Sequence, residues 1–370
     1  MATLFSVEFF DLYLPMRGTI RNVGNVRRVL LLKWATDSGT VWSECSSLDQ
    51  PGYHYETIDV SWFALKHLIL PKILGRRFFC LADVSTILTG ILGFPFAKAA
   101  VDAAVAITLA QEANQSLARY LGHPAPQNRL GGTMSMDDVT PTAMDQVVAM
   151  GFKRVKLKIS RLFSLEQLIA IRTYLPESIA VAVDANGIFG RDDIPTLKQL
   201  EWSGVAWIEQ PFESGDWAAN CEFRKVCGIP IVLDESISSQ CDVATANTFD
   251  AADSVVIKIG RVGGISATLG MYTLASQLGI SVSSGGMVDS PIGLATRLAV
   301  AGHYHEDRTG DWAPPEFTWD CDALHLFRFD YDINRMPLQT DSVGLGVTVD
   351  SARIHDVSVT HEIISAADFR

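Results

Sequence analysis

The chain has 370 residues, of which 48% are hydrophobic and 19% charged, so it is long and apolar enough to bury a large core. Its 42 acidic and 30 basic residues give a formal net charge of −12, which argues against an extended nucleic-acid or acidic-membrane footprint. No apolar run approaches the length of a membrane span, and residues 1–15 have no basic leader, so we expect neither a transmembrane helix nor a signal peptide. The six cysteines show no zinc-ligand spacing and predict free thiols in a reducing cytoplasm.

The first 125 residues mix strand-like and helical patterns. A strand-like run at 29–34, a turn signal at Asp37-Ser38-Gly39 and a short run at Val41-Trp42 predict a β-hairpin. Helical periodicity follows over 56–70, stopping at Pro71, and over 96–121, ending at Gly122. We predict an α+β domain over 1–125, on which a C-terminal segment of about 320–370 packs.

The pattern changes after a Pro-rich boundary at 124–126. Short β-branched runs now alternate with helical stretches, which favours βαβ units and a parallel sheet. We therefore predict a catalytic domain over 126–319, with strand-like runs at 155–159, 179–183, 205–208, 229–233, 254–257 and 280–283.

A charged side chain follows or ends each of five consecutive runs. They are Lys158, Asp184, Glu209, Asp234 and Lys258, at intervals of 26, 25, 25 and 24 residues. A single acid after a strand is typical of a helix N-cap, but this near-constant period corresponds to one βα unit per step. In a β/α barrel the carboxyl ends of the strands meet at one mouth, so we expect all five side chains in one cup.

Three carboxylates in one pocket repel each other unless a cation lies between them. Oxygen ligands without His or Cys suit Mg²⁺. A lysine beside a divalent cation and a second lysine is expected to have a lowered pKa and to serve as a base. Together these groups suit abstraction of a proton α to a carboxylate, because the metal stabilises the enediolate.

Several short motifs match a known family. Lys156-Leu157-Lys158 and the segments at 183–186, 208–211, 233–236 and 257–258 resemble the enolase superfamily, in its muconate lactonizing enzyme subgroup. Within that subgroup, the segments at 52–57, 94–100, 258–264 and 284–287 are similar to o-succinylbenzoate synthases that also act as N-succinylamino acid racemases.

The resemblance implies an α/β fold, a modified (β/α)₇β barrel of the TIM type under an α+β capping domain. It implies Asp184, Glu209 and Asp234 as ligands of Mg²⁺, with Mn²⁺ as the alternative ion, and Lys158 and Lys258 as acid/base groups on opposite faces of the substrate. The partner is a small-molecule carboxylate, and we expect a homo-oligomer. Lys156 would help to hold the substrate carboxylate, and Asn186 would support the metal site from behind a ligand. The residues assigned to substrate binding are, in full, Lys156, Asn186, Ser135, Gly286, Met287, Asp289 and Tyr55.

Three departures from the family pattern leave the substrate open. Ile259 stands where relatives often have Pro, Asp289 stands where they usually have Glu, and the region 310–313 lacks the Asp-x-Asp of dipeptide epimerases. The leading interpretation is dehydration by an o-succinylbenzoate synthase of menaquinone biosynthesis. The alternatives are an N-succinylamino acid racemase, a muconate cycloisomerase and a barrel that binds a carboxylate metabolite without converting it.

Two further features allow more than one interpretation. Tyr53 and Tyr55 lie in a loop that either closes over the substrate or packs within the capping domain. The cluster at 303–307 contains two histidines and two acids, but without an evident third ligand in register we interpret it as a surface cluster rather than a metal site.

Overall fold

The structure, a computed structural model, describes residues 1–20, 23–122, 130–301, 310–329 and 342–369. The strands are β1 (Ala2–Ile20), β2 (Gly24–Thr36), β3 (Gly39–Cys45), β4 (Arg77–Phe78), β5 (Gly131–Ser135), β6 (Arg154–Lys158), β7 (Ala180–Asp184), β8 (Ile208–Glu209), β9 (Ile231–Leu233), β10 (Ser254–Ile257), β11 (Ser281–Ser284), β12 (Phe327–Phe329), β13 (Val347–Val349) and β14 (Thr360–Ser365). The helices are α1 (Ile58–Ala64), α2 (Leu70–Ile73), α3 (Leu81–Thr89), α4 (Pro95–Glu112), α5 (Leu117–Tyr120), α6 (Pro141–Ala149), α7 (Leu165–Tyr174), α8 (Ile194–Lys198), α9 (Trp217–Val226), α10 (Gln240–Thr248), α11 (Ile259–Val262), α12 (Ile265–Leu278), α13 (Pro291–Ala301), α14 (Pro315–Thr318), α15 (Cys321–Leu324) and α16 (Ser351–Val357). Within these described ranges, no helix has the length and apolar character needed to cross a membrane.

One sheet is antiparallel, with the strand order β14-β1-β2-β3 and with β4 also paired to β1. The predicted hairpin is confirmed, since β2 and β3 pair from Leu30 with Cys45 to Thr36 with Gly39. Gly39 has a φ of +102°, a conformation that favours glycine and allows the tight connection. Strand β14 pairs with β1, so the C-terminal segment returns to the start of the chain.

The second sheet is parallel and contains the candidate site. Seven described strands follow each other in the order β11-β10-β9-β8-β7-β6-β5. Each of the six predicted strand-like runs overlaps one of these strands, and the alternation with helices is confirmed. Strand β5 was not predicted, because Gly131 and Gly132 give it no β-branched pattern.

The segment Gly310–Trp312 closes the barrel between the two edge strands. The Gly131 N–H of β5 donates to the Trp312 carbonyl at 3.0 Å, and the Asp311 N–H donates to the Ser284 carbonyl of β11 at 3.2 Å. A Cβ atom at Gly131 would lie 2.6 Å from the Gly310 oxygen, so this closure requires a glycine. The segment therefore takes the place of an eighth strand.

Helix α4 joins the antiparallel sheet to the barrel. It is rich in alanine and almost entirely buried, and it packs on β3, α11 and α12. The carboxylate of Asp102 in this helix accepts hydrogen bonds from the Ser266 N–H at 3.0 Å and from the Ser266 hydroxyl at 2.8 Å. Asp102 therefore caps α12, whose own N-cap, Gly264, has no side chain to do so.

The helices of the first zone differ from the prediction in two places. Pro71 does not end a helix: the chain stays helical from α1 through a π-helical turn at Leu65–Ile69 into α2, whose first turn contains Pro71. The predicted helix over 96–121 divides into α4 and α5, because Asn114 adopts a φ of +52° and Ser116 caps the second helix. The domain boundaries stay predictions, and the proposed boundary at 124–126 lies outside the described residues.

Candidate active site

The five predicted side chains lie at the carboxyl ends of neighbouring strands. Lys158, Asp184 and Glu209 are the last residues of β6, β7 and β8, while Asp234 and Lys258 directly follow β9 and β10. Lys158 is in register with Asp184, and Asp184 is in register with Glu209. The parallel pairing therefore brings bases and acids to one mouth of the barrel, as the 25-residue spacing predicts.

Lys156 lies deep in the barrel, two residues before the end of β6. Its ammonium donates to Glu209 Oε1 at 2.6 Å and to Asp311 Oδ2 at 3.2 Å. Burial would lower the pKa of Lys156, but the charges of Asp311 and Glu209 outweigh burial and raise the pKa above its usual value. Lys156 is thus a fixed positive charge at the base of the cup, and its predicted contact with a substrate carboxylate stays a prediction.

Asn186 connects Lys158 with two acids. Its side-chain oxygen accepts from the Lys158 ammonium at 3.2 Å, and its amide nitrogen donates to Asp184 Oδ2 at 3.2 Å and to Glu235 Oε1 at 3.0 Å. Asn186 has a φ of +46°, which Asn tolerates better than most residues. Its position beside Asp184 supports the predicted role behind a metal ligand.

Lys258 is held by a carboxylate and a phenol. Its ammonium donates to Asp234 Oδ2 at 2.7 Å and to the Tyr53 hydroxyl at 2.8 Å. Arg261 donates to the same hydroxyl and to Asp234 Oδ1, the latter at 2.8 Å. Burial would lower the pKa of Lys258, but Asp234 and Tyr53 raise the pKa well above its usual value. In this arrangement the neighbouring carboxylate outweighs the positive charge of Arg261. The lowering expected for a lysine beside a divalent cation stays a prediction.

The three predicted metal ligands are each paired with a cationic side chain. Among the described residues, no three acidic, His or Cys side chains already lie close enough to hold a metal ion together. Burial and the charge of Asp184 nevertheless raise the pKa of Glu209 to about 8, although Lys156 opposes the shift. The site therefore keeps an excess of buried carboxylate, and the oxygen donors of Asp184, Glu209 and Asp234 match the ligand chemistry of a hard divalent cation.

The residues predicted after β11 lie in the loop that leads into α13. Gly286 and Met287 form part of this loop, and Met287 is buried. Asp289 does not face an amine of the cup but pairs with Arg297 Nε at 2.9 Å. Ser135, the last residue of β5, is in register with Lys158. Their direct contacts with substrate stay predictions.

Tyr53, rather than Tyr55, reaches the candidate catalytic groups. Tyr55 is 67% exposed, and its ring contacts that of His54 in a tilted arrangement with 4.0 Å between ring centroids. The Lys258 ammonium lies 4.7 Å from the centroid of the Tyr53 ring. The two tyrosines therefore face different surroundings, and the assignment of Tyr55 to substrate contact stays a prediction.

Sequence reasoning did not identify several functional neighbours. Arg261 lies in the single turn of α11, three residues after Lys258, which is the N-cap of that helix. No local sequence pattern indicated Asp311, Arg154 or Glu235. Their contacts join segments that are distant in the sequence. The histidine-containing cluster at 303–307 lies outside the described residues.

Comparison with known proteins gives one family. Residues 140–353 match the sequence family described as Enolase C-terminal domain-like. An N-succinylamino acid racemase from Amycolatopsis sp is 30% identical over 350 residues, which cover 93% of this chain and 94% of that protein. An o-succinylbenzoate synthase from Bacillus subtilis (strain 168) is 30% identical over 326 residues, 87% of each chain. The crystal structure of an enolase superfamily member from Listeria innocua is similar with a TM-score of 0.91 and 25% identity, over 99% of this chain and 100% of that one.

These similarities confirm both the resemblance and the predicted fold class. The parallel sheet, closed through Gly310–Trp312, is the barrel, and the antiparallel sheet is joined to it by α4, which contacts β3, α11 and α12. The family match covers more than half of the chain and includes all five strand-end residues of the cup. The chain therefore belongs to the Enolase C-terminal domain-like family.

Proposed function

We propose that the chain is an enzyme that removes a proton α to a carboxylate with the help of a divalent metal, and that its main activity is that of an o-succinylbenzoate synthase. The observation that carries the proposal is the placement of two lysines, Lys158 and Lys258, on either side of three strand-end carboxylates. Relatives at 30% identity over most of the chain bear the names of this synthase and of a racemase that uses the same kind of step.

Asp184, Glu209 and Asp234 would hold the metal, which we propose to be Mg²⁺, with Mn²⁺ as the alternative. A structurally similar protein, a dipeptide epimerase from Cytophaga hutchinsonii, was crystallised in complex with Mg and a dipeptide. When bound, a divalent cation supplies positive charge that stabilises the negative charge developing on the substrate carboxylate. The ion pairs of Lys156 and Lys258 hold these oxygens at the mouth of the barrel.

In the dehydration, Lys158 takes the α-proton as a neutral amine and becomes an ammonium. The same lysine then returns this proton to the departing hydroxide, which leaves as water. Asn186 orients the Lys158 amine by accepting its hydrogen bond at 3.2 Å. Lys258, a buried ammonium beside Asp234, contributes fixed positive charge on the other side of the cup.

A second activity, racemisation of an N-succinylamino acid, is favoured by the hydrogen bonds that fix the Lys258 ammonium. Racemisation needs one acid/base group on each face of the α-carbon, so that one lysine removes a proton and the other donates one. Asp234 and Tyr53 fix the Lys258 ammonium at 2.7 and 2.8 Å, which is the arrangement of a proton donor rather than of a loosely held surface lysine.

Single-lysine variants test the proposal and separate the two activities. The assays follow dehydration of the cyclohexadiene precursor of o-succinylbenzoate and racemisation of each enantiomer of an N-succinylamino acid. We expect Lys158→Ala to lower both rates by about 10³-fold and Lys258→Ala to abolish racemisation while reducing dehydration less. Lys153→Ala is the matched control, because Lys153 is an exposed lysine that directly precedes β6, at the opposite end of that strand from Lys158. A Lys158→Ala variant with wild-type dehydration would refute the role of Lys158.

We also propose that the enzyme acts in the cytoplasm as a homo-oligomer on a small-molecule carboxylate, without a nucleic-acid or membrane partner. The acidic charge balance supports the part of this proposal that concerns nucleic-acid and membrane partners. Light scattering of the purified chain tests the oligomeric state, for which a monomer at micromolar concentration is the contradicting result.

A further inference from the structure

The loop Gly285–Ser290, between β11 and α13, is strained beside a candidate catalytic group. We call it the β11 loop. Val288 has a φ of +59°, a left-handed conformation that a β-branched residue rarely adopts. Such a conformation persists only where the surroundings over-determine it, and strain of this kind concentrates near functional sites.

Several contacts hold the β11 loop in this conformation, and Asp289 makes three of them. The Asp289 carboxylate accepts from Arg297 Nε at 2.9 Å and from the Met287 N–H at 3.2 Å. Its backbone carbonyl accepts from Trp319 Nε1 at 3.2 Å. The charge pair with Arg297 is buried on both sides, with 8% of each side chain exposed.

The antiparallel sheet secures the end of the same loop. Glu44 Oε2 in β3 accepts from the Ser290 N–H at 2.9 Å and from the Ser290 hydroxyl at 2.6 Å. It also accepts from the Gly293 N–H at 3.1 Å, so Glu44 acts as the cap of α13. The loop is therefore fixed at Ser290 by Glu44 and at Asp289 by Arg297.

The other end of the β11 loop packs directly on the aliphatic stem of Lys258. A Cβ atom at Gly285 would lie 2.8 Å from Lys258 Cε and 3.0 Å from Lys258 Cγ, so only a glycine allows this approach. Lys258 also lines a cavity of about 40 Å³, together with Met287, Ala103 and Arg297. The loop backbone is therefore one wall against the stem, while Asp234 and Tyr53 hold the ammonium at its end.

Arg297 connects this loop to the closing segment of the barrel. While its Nε donates to Asp289, its Nη1 donates to the Asp311 carbonyl at 2.8 Å. The guanidinium carbon lies 4.4 Å from the centroid of the Trp312 ring, a distance suited to a cation–π contact. One buried side chain in α13 thus ties the β11 loop to Gly310–Trp312.

We propose that Arg297 is a positioning residue for Lys258: through Asp289 it holds the strained β11 loop, whose Gly285 keeps the Lys258 ammonium on the substrate face that it serves. This inference rests on the proposed proton-transfer function. It predicts an effect on one face of the substrate, whereas a merely structural role of Arg297 would reduce proton transfer on both faces alike.

The test measures α-proton exchange in D₂O separately for the two enantiomers of an N-succinylamino acid. Each enantiomer presents its proton to one lysine, and the exchange that survives in Lys258→Ala identifies the face served by Lys158. In Arg297→Met we expect exchange on the Lys258 face to fall by roughly ten- to a hundred-fold relative to the Lys158 face, because a small misplacement of a catalytic group has an effect of this order. Equal losses on both faces, or none, would overturn the proposal.

Two further variants serve as controls. Arg297→Lys keeps a charge for Asp289 but lacks the second donor for the Asp311 carbonyl, so we expect a face ratio between those of wild type and Arg297→Met. Arg224→Met removes an arginine that pairs with Asp250 and Asp253 at the other end of the barrel strands. We expect it to leave the face ratio unchanged, and a shift as large as that of Arg297→Met would count against the proposal.

A second measurement does not depend on activity. The N–H groups of Gly285, Met287 and Ser290 donate to the Ile257 carbonyl, to Asp289 and to Glu44. In Arg297→Met we expect faster amide hydrogen exchange in a peptide covering 285–290 and wild-type exchange in α9. Unchanged protection of 285–290 would overturn the proposal even if no substrate had been found. A wild-type protein that exchanges neither enantiomer and does not convert the cyclohexadiene precursor would instead contradict the proposed function.

Discussion

The Tyr53 hydroxyl lies where three charged groups meet. It accepts hydrogen bonds from Lys258 and Arg261 and donates to Asp234 at 3.4 Å. Removing it leaves the Lys258 ammonium with one fixed partner fewer, while the ring of a phenylalanine can still pack there. The hydroxyl should therefore affect proton transfer more than substrate binding.

We expect Tyr53→Phe to lower kcat of racemisation by about ten-fold with little change in KM, since geometry at the Lys258 face is disturbed. Steady-state kinetics with both enantiomers provide the measurement. Tyr55→Phe, in the same loop, serves for comparison because the Tyr55 side chain is largely exposed. A larger loss of kcat at Tyr55 than at Tyr53 would contradict the placement of the two side chains.

Asp234 combines a predicted metal ligand with a buried ion pair. It pairs with Lys258 at 2.7 Å and with Arg261 at 2.8 Å, and all three side chains are buried. In Asp234→Asn we expect both loss of Mg²⁺ binding by calorimetric titration and a decrease of about 3 kcal/mol in the free energy of unfolding, because two buried cations lose their counter-charge. Asp250→Asn, at an exposed ion pair, should leave both quantities near wild type. Wild-type metal affinity in Asp234→Asn would contradict the ligand assignment.

The sequence predicts the strand-end residues but not their partners, for a physical reason. Lys158, Asp184 and Glu209 follow from the local rule that parallel strands end at one edge. Tyr53 contacts Lys258 across 205 residues, and Lys156 contacts Asp311 across 155 residues. Such contacts depend on how a distant loop or segment is placed, which local periodicity does not specify.

At the scale of elements, the junction of α4 with α12 contains a buried acid that takes no part in the proposed chemistry. Burial raises the pKa of Asp102 from 3.8 to about 6, although hydrogen bonds from Ser266 oppose the shift. Between these two pH values the folded chain keeps a proton that the unfolded chain has released. The stability contributed by this proton is therefore complete below about pH 4 and is lost as the pH rises through 6.

We expect Asp102→Asn to remove this part of the pH dependence. The free energy of unfolding of the wild type, relative to the variant, should fall by about 2 kcal/mol between pH 4 and pH 6.5. Urea denaturation of both proteins at several pH values measures the difference. A difference that stays constant over this range would show that Asp102 does not titrate in the folded chain.

The elements that sequence patterns missed share one property. Strand β5 and the segment Gly310–Trp312 have little β-branched character, and each depends on glycines that permit close approach of two backbones. A Cβ at Gly131 would collide with the Gly310 oxygen, so the close approach of these two stretches requires a glycine. Hydrophobic periodicity detects buried strands such as β6 and β10, but it does not detect pairing that is selected by the absence of a side chain.

For the molecule as a whole, the repeat of five βα units predicts the barrel, and the family comparison confirms it. The acidic charge balance of the chain did not predict the positive side chains in the cup. These are Lys156, Lys158, Lys258 and Arg261, which lie beside the carboxylates. Local charge at a barrel mouth is set by strand ends, which form a small part of the chain. The division between dehydration and racemisation depends on loops around that mouth, whose sequence carries little periodic signal.

The central claim is that two lysines and a divalent metal act together on one α-proton. Proton NMR of an N-succinylamino acid in D₂O, with the enzyme and Mg²⁺, tests this claim most directly. We predict that the α-proton signal of both enantiomers disappears when Mg²⁺ is present and persists when EDTA has chelated the metal. When Mg²⁺ is restored, the signal should again disappear rapidly. Persistence of the signal in the presence of Mg²⁺, for this substrate and for the cyclohexadiene precursor alike, or undiminished exchange in EDTA, would contradict the account.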